Sequence, residues 1–324
     1  MLKIGLVGAG HLGKIHLKCI SLIPEVQLVG IYDSNEEIAK TAADTYGVPV
    51  FSNLQSLIEA SDIVDIVTPT LSHFEVAKEA IRTGKHVFIE KPITETSEQA
   101  KILIKLAGEA GIKAHVGHVE RFNPAFVKAR PFITMPMFIE SHRLAEFNPR
   151  GTDVPVVLDL MIHDIDIALH LVNSPVKKIS ASGVAVISDT PDITNARLEF
   201  DNGSVANLTA SRISMKNMRK TRIFQRDAYI TVDFHKKKTE IIRMENINDD
   251  TPADDMALIL ENSVGHKKRI FFETPAIDDS NAIRDELKSL VDAINNNTPA
   301  SVTLEDGKDA LLIAEEILSI INPS

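Results

Sequence analysis

Residues 2–13 read Leu2-Lys3-Ile4-Gly5-Leu6-Val7-Gly8-Ala9-Gly10-His11-Leu12-Gly13, and this stretch decides the fold. The run 2–7 has the length and composition of a strand buried on both faces. It passes directly into Gly8-x-Gly10-x-x-Gly13, and an apolar-periodic helical segment follows over 11–22. A glycine triplet in a strand-to-helix turn is a phosphate cradle. Gly8 permits the tight turn, Gly10 lets a pyrophosphate approach the backbone, and Gly13 lets the helix pack close to the sheet. The helix start, at His11 and Leu12, offers free N–H groups and the positive end of its dipole. Asp33, 20 residues beyond Gly13, closes a second apolar run, VQLVGIY (26–32). A carboxylate there accepts hydrogen bonds from the adenosine ribose hydroxyls and repels a 2′-phosphate. Ser34, Asn35, Glu36 and Glu37 follow with no cation to neutralise such a phosphate, so NAD is the expected cofactor rather than NADP.

Outward from this turn, strand-like and helix-like segments alternate up to residue 118. Further strands are expected at 48–51 (VPVF), 63–67 (IVDIV), 86–90 (HVFIE) and 113–117 (KAHVG), with helices near 35–46, 53–60, 73–83 and 96–110. Ser72 with Glu75 reads as a capping box, and Gly84 and Gly111 stand where glycines end helices. The alternation predicts right-handed crossovers and a doubly wound parallel sheet. After residue 120 the rhythm changes. A proline-punctuated stretch, 121–136, precedes a strand near 137–146 and a helical segment near 155–172. Strand then follows strand from 177 to about 275, with Asp201-Asn202-Gly203 as a hairpin signal. Helices near 281–296 and 305–321 close the chain. The expected fold class is α/β, with a Rossmann domain over 1–119 and a second α/β domain over 120–324.

The 324 residues suit two domains at roughly 150 each. Apolar residues at 44% and charged residues at 25% exclude a disordered or collagenous chain. No run of about 18 apolar residues predicts a spanning helix, and the glycine-rich N-terminus lacks the features of a signal peptide. One cysteine, Cys19, rules out an intrachain disulfide, fits a reducing cytoplasm and falls in the apolar pattern of the first helix. Carboxylates exceed Lys plus Arg by 45 − 35 = 10, so neither nucleic acid nor a membrane surface is an expected partner. A basic stretch over 212–220 reads as a solvated connection, or alternatively as a contact for an anionic substrate.

Glu90-Lys91-Pro92 ends the strand at 86–90, and ligands of open α/β sheets bind outside the carboxyl ends of strands. Lys91 is placed there to stabilise a developing alkoxide, and Pro92 keeps its backbone out of the α region. A solvated surface lysine is the plainer alternative. In the segment 155–172, PVVLDLMIHDIDIALHLV, Asp159, His163, Asp166 and His170 are spaced 4, 3 and 4 and share one face of an apolar helix. Four ionisable groups on one face are costly to bury unless paired or functional. A solvated polar stripe remains an alternative. An Asp/His metal site is a weaker one, because no further ligand cluster accompanies it; no metal is expected.

The Gly8 motif, TPTLSHFEVAKEAIRTGKHVFIEKPI (68–93), DLMIHDID (159–166) and PASVTLEDGKDALLIAEEI (299–317) together resemble the Gfo/Idh/MocA oxidoreductases over nearly the whole chain. The resemblance implies a Rossmann domain followed by a domain built on a large, open, mostly antiparallel sheet that pairs subunits. A homo-oligomer, dimer or tetramer, is therefore expected. It also implies hydride transfer between a nicotinamide cofactor and a secondary alcohol of a sugar or cyclitol, with Lys91, Asp159 and His163 as the catalytic residues. His163, with an ordinary imidazole pKa of about 6.5, then takes the hydroxyl proton. Asp159 orients it or binds substrate, and Asp164 faces away as support. Thr68, Pro69, Glu90 and Lys91 fall on the cofactor side. His73 does too, because it opens a helix after Thr68-Pro69-Thr70, although His73, His86 and His115 otherwise read as structural.

Gly117-His118-Val119-Glu120-Arg121-Phe122-Asn123-Pro124, with DLMIHDID, is most similar to nucleotide-sugar members that oxidise the C3 hydroxyl of UDP-N-acetylglucosamine. His118, Arg121 and Asn123 are expected substrate contacts, and Arg150 is expected to meet a diphosphate. The loop 149–158 lacks the glycine run common in the family. A non-catalytic dinucleotide-binding regulator is the competing reading, disfavoured by the presence of Lys91, Asp159 and His163.

Overall fold

The N-terminal apolar run forms β1 (Leu2–Val7), whose last four residues are buried. It leads in chain order to α1 (His11–Ile20), β2 (Val26–Tyr32), α2 (Glu36–Tyr46), α3 (Leu54–Ala60) and β3 (Ile63–Ile66). Next come α4 (Thr70–Arg82), β4 (His86–Glu90), α5 (Ser97–Ala110) and β5 (Ala114–Gly117). The computed structural model describes residues 1–148, 154–247 and 258–322. The five strands lie in the order β2-β1-β3-β4-β5, all pairs parallel. Successive strands are added on opposite sides of β1, so the order reverses between β1 and β3. In a sheet of this kind the ligand crevice opens there.

Two local expectations are corrected. The segment 48–51 contributes a single bridge, Ile31 to Val50, rather than a sixth strand. Pro49 has no N–H to donate, so only its carbonyl joins, accepting from Ile31 at 2.9 Å. α4 begins at Thr70 with Pro69 at its N-cap and no side-chain cap. Glu75 therefore makes no capping box with Ser72 and pairs instead with Lys78, one turn on, at 2.7 Å.

The remaining elements are α6 (Pro124–Ala129), β6 (Phe138–Leu144), a π-helical turn (Val157–Met161) and α7 (Ile162–Val172). Eight strands follow: β7 (Val176–Val184), β8 (Ile193–Phe200), β9 (Val205–Ser211), β10 (Met218–Gln225), β11 (Ala228–Asp233), β12 (Lys238–Ile247), β13 (Leu258–Glu261) and β14 (Lys267–Glu273). The helices α8 (Ala282–Asn295) and α9 (Leu304–Ile321) end the chain. These strands make a nine-stranded sheet, β13-β14-β12-β11-β10-β6-β9-β8-β7. Its pairings are antiparallel except β6 with β9. Burial alternates along β6, β8 and β9, the period-2 sign of a sheet covered on one face. α7 packs on β6 and β9, burying Ile162, Ile165 and Ala168.

The chain divides into two compact units, 1–122 with 281–315, and 123–280 with 316–324. The closing helices were expected in the second domain, yet α8 returns to the first. Leu287, Leu290 and Val291 join the core made by Ile4, Leu6, Leu17, Ile20 and Phe88. An amphipathic stripe carries no mark of which sheet or helix it will cover, so sequence periodicity could not assign it. Among the described residues no helix is long and apolar enough to cross a membrane.

Replacing Leu290 with Ala should cost about 2–5 kcal/mol, through lost burial plus the cavity left behind. Urea denaturation measures this; a change below about 0.5 kcal/mol would contradict membership of α8 in this core.

Candidate active site

The turn from β1 to α1 is shaped by what a side chain could not do there. Gly8 has φ +96°, and a Cβ on it would lie 2.6 Å from the Val67 carbonyl oxygen. A Cβ on Gly13 would collide with the carbonyl oxygen of Gly8. Gly10 differs, since a Cβ there would meet nothing within 4 Å; this backbone faces open space. The helix start has no side-chain cap and no acidic residue in its first turn, and His11 and Leu12 are exposed. Its N–H groups are therefore left to an external anion. Asp33 accepts the Ala9 N–H at Oδ2 and the Asn35 N–H at Oδ1, both at 2.8 Å. A carboxylate has about four acceptor positions, so capacity for ribose hydroxyls remains. The Thr68 hydroxyl is buried beside this turn without a protein partner, the kind of orphan a dinucleotide would satisfy. These residues fit NAD: Gly8, Gly10, Gly13 and the α1 start around the pyrophosphate, and Asp33 on the ribose.

Lys91 follows β4, and its N–H donates to its neighbour Glu90 Oε2 at 3.1 Å. Glu90 is buried, and its other oxygen, Oε1, lies 3.1 Å from His16 Nε2. His16 Nδ1 lies 2.9 Å from Asp65 Oδ2, on β3. His16 and Asp65 were not singled out from the sequence. The available signals were a carboxylate inside an otherwise apolar strand, IVDIV, and a histidine on the buried face of the glycine-motif helix. His73, read from the sequence as structural and as lying on the cofactor side, makes main-chain contacts. Its ring is buried, with Nδ1 2.8 Å from the Pro92 carbonyl oxygen and Nε2 2.8 Å from that of Thr68. Burial pushes its pKa down, and the ring acts as a strut between the 68–69 loop and the Lys91-Pro92 turn.

The three residues expected as substrate contacts, His118, Arg121 and Asn123, also make contacts within the protein. His118 is buried. Arg121, in the short 3₁₀ turn Val119–Phe122, pairs with Asp306 at 3.2 Å. Asp306 in turn accepts the Thr303 N–H at 2.8 Å at the start of α9. Burial raises the Asp306 pKa, but Arg121 and the Thr303 donors outweigh it and hold the carboxyl below its usual range. Asn123 caps α6 by accepting the Ala125 N–H and donates to the Phe234 carbonyl, each at 3.1 Å. Through these contacts Arg121 and Asn123 tie neighbouring elements together. Arg150 lies outside the described residues. His86 accepts the Lys113 N–H at 2.9 Å. His115 is buried against Phe88, and desolvation, aided by Arg121 and His118, pushes its pKa down to about 3. Both are structural, as expected.

In the second unit, Asp159 sits in the π-helical turn and His163 one position into α7. Both are partly exposed, whereas Asp166 is buried and His170 lies against the Phe126 ring at 6.2 Å. The four polar groups expected on one face thus have different surroundings. π-turns recur at functional sites, where the widened turn re-aims a side chain. Asp164, next to His163, is buried and accepts from Arg143 Nε at 2.8 Å, Arg143 Nη2 at 3.2 Å and Ser141 Oγ at 2.8 Å. This bidentate pair pins α7 to β6.

A family profile described as "Oxidoreductase family, NAD-binding Rossmann fold" matches residues 2–118, and the GFO/IDH/MocA C-terminal domain profile matches 136–231. UDP-N-acetylglucosamine 3-dehydrogenase of Acidithiobacillus ferrooxidans is 40% identical over 234 residues, spanning 72% of this chain and 74% of that one. The chain belongs to the GFO/IDH/MocA oxidoreductases. A solved structure of that same A. ferrooxidans enzyme has a TM-score of 0.88 and 32% identity, covering 99% of this chain and 97% of the other. Inositol 2-dehydrogenase of Rhizobium meliloti is 30% identical over 220 residues, 64% of this chain and 66% of that one. This GFO/IDH/MocA member is an NAD-dependent dehydrogenase, and its Rossmann unit carries the glycine turn and Asp33 described above.

A 2′-phosphate on the cofactor would meet the Asp33 carboxylate with no cation in the segment 34–37. NAD should bind at least ten-fold more tightly than NADP, roughly 1.4 kcal/mol or more, and Asp33→Ser should narrow the gap. Calorimetric titration of both cofactors tests this; equal affinities in the unaltered protein would refute it.

Proposed function

We propose that this oxidoreductase oxidises the C3 hydroxyl of UDP-N-acetylglucosamine or a closely related nucleotide-sugar, working in the cytoplasm as a homo-oligomer. The observation that carries the reading is the match to a UDP-N-acetylglucosamine 3-dehydrogenase at 40% identity, with a TM-score of 0.88 to its solved structure. Lys91, Asp159 and His163 supply the groups such an oxidation needs. His163 is the general base that takes the hydroxyl proton as the C–H bond breaks. Lys91 hydrogen-bonds the same oxygen and stabilises the negative charge that develops on it. Asp159, four residues before His163, holds the imidazole or a sugar hydroxyl. Bound NAD supplies the acceptor for the hydride. In the reductive direction His163 returns the proton.

The assembly reading rests on exposed apolar side chains of the nine-stranded sheet. Val184, Phe224, Leu258, Ile259, Leu260 and Phe272 all stand at least 39% exposed. Apolar side chains exposed on a sheet are suited to burial against another surface, and a second copy of the sheet would supply one symmetrically.

Removal of a positioned base costs about 10²–10⁴ in rate. His163→Ala and Lys91→Ala should each lose turnover by that order, measured as NADH formation with UDP-N-acetylglucosamine, while NAD binding persists. Lys91→Arg should restore little, because a planar fork does not occupy the place of a compact ammonium. Near-full activity in either alanine variant would remove that residue from the mechanism. A screen of UDP-sugars in which only non-nucleotide sugars react would overturn the substrate assignment. Light scattering at micromolar concentration should give a dimer or larger; a monomer mass would contradict the assembly.

A further inference from the structure

His16, Asp65 and Glu90 form a buried ionic chain that ends on the backbone of Lys91. His16 lies three residues beyond Gly13, in α1, and its side chain is fully buried. Each ring nitrogen faces a carboxylate on a different strand: Nδ1 faces Asp65 Oδ2 on β3 at 2.9 Å, and Nε2 faces Glu90 Oε1 on β4 at 3.1 Å. A neutral imidazole has one N–H and could donate to only one of them. Two carboxylate acceptors therefore call for the imidazolium, with both nitrogens donating. Burial favours the neutral ring, but Asp65 and Glu90 outweigh it and raise the His16 pKa well above its ordinary value. Glu90 is held ionised against burial by His16 and then Lys91. Burial pushes Asp65 up, opposed by His16.

The surroundings are built to this chain. The Phe88 ring meets the imidazole edge-on at 5.6 Å. On β5, a Cβ at Gly117 would fall 2.9 Å from the Glu90 carboxylate, so this glycine leaves the room Glu90 occupies. Burying three charged groups costs several kcal/mol each before pairing, so the chain is a poor route to stability alone. Its geometry does something else. With Oε1 gripped by His16, Glu90 has a single orientation, in which Oε2 accepts the Lys91 N–H at 3.1 Å.

We propose that His16 and Asp65 are positioning residues: they lock the Glu90 carboxylate, and Glu90 fixes the backbone from which the Lys91 side chain departs. The functional consequence rests on Lys91 stabilising the alkoxide, whereas the structural link does not. A side chain aimed from an unlocked strand end loses the preorganisation on which such stabilisation depends.

The link is read without turnover by amide hydrogen exchange at Lys91 on the full chain, with and without NAD. Asp65→Asn should speed Lys91 amide exchange at least ten-fold while the NAD affinity stays within two-fold. His16→Gln, which can no longer bridge both carboxylates, should do the same and serves if Asp65→Asn does not fold. NADH formation with UDP-N-acetylglucosamine supplies the second reading. Asp65→Asn should lower kcat at least ten-fold in the unaltered protein and have no further effect in the Lys91→Ala background, because the two act as a unit. Unchanged Lys91 exchange in both variants overturns the proposal. An equal loss of kcat in the Lys91→Ala background overturns positioning through Lys91. Full activity of Lys91→Ala would instead sink the catalytic role of Lys91, with the exchange data still deciding the link.

Discussion

The close approach of α1 to the β1–β3 edge is the constraint on which the first unit depends. Only hydrogen fits at Gly13 against the Gly8 carbonyl, and only glycine takes the φ of +96° at Gly8. Because α1 lies this near the sheet, its first turn points into the crevice where the strand order reverses. Its second turn sinks His16 between two strands. The same closeness lets α8 close over α1, with Leu287, Leu290 and Val291 in the shared core. Phosphate recognition, core formation and the ionic chain beneath Lys91 thus follow from one packing distance.

Each unit uses a buried ionic contact beside a residue assigned to chemistry. In the first, Glu90 stands between His16 and Lys91. In the second, Asp164 is clamped by Arg143 and Ser141 and directly follows His163 in α7, buried where His163 is partly exposed. A buried pair is expensive to desolvate and contributes little net stability, but a broken one leaves an unpaired charge. Such contacts therefore favour one arrangement strongly over its alternatives. That property suits a reaction whose groups must meet a developing charge in a set geometry.

The parallel sheet, apart from the strand expected at 48–51, and the glycine turn were legible because each leaves a local mark. Buried strands are short apolar runs, and the turn needs glycine. The resemblance singled out Lys91, Asp159 and His163, to which the proposed chemistry is assigned. For His73, Arg121 and Asn123 the structure adds contacts that the sequence did not show. Each is polar and near the ligand edge in sequence, and these contacts are with Pro92 and Thr68, with Asp306, and with Ala125 and Phe234.

By itself, then, the order of residues determined most of the elements and the dinucleotide turn, since these rest on backbone sterics and on patterns a few residues long. Tertiary structure alone decided which sheet the closing helices cover and which polar side chains face inward. It also decided that His16, Asp65 and Glu90 meet, 49 and 74 residues apart from the histidine along the chain. Amphipathic periodicity and residue type carry no address. A helix learns its partner, and a buried charge its counter-ion, only when strands far apart in sequence become neighbours.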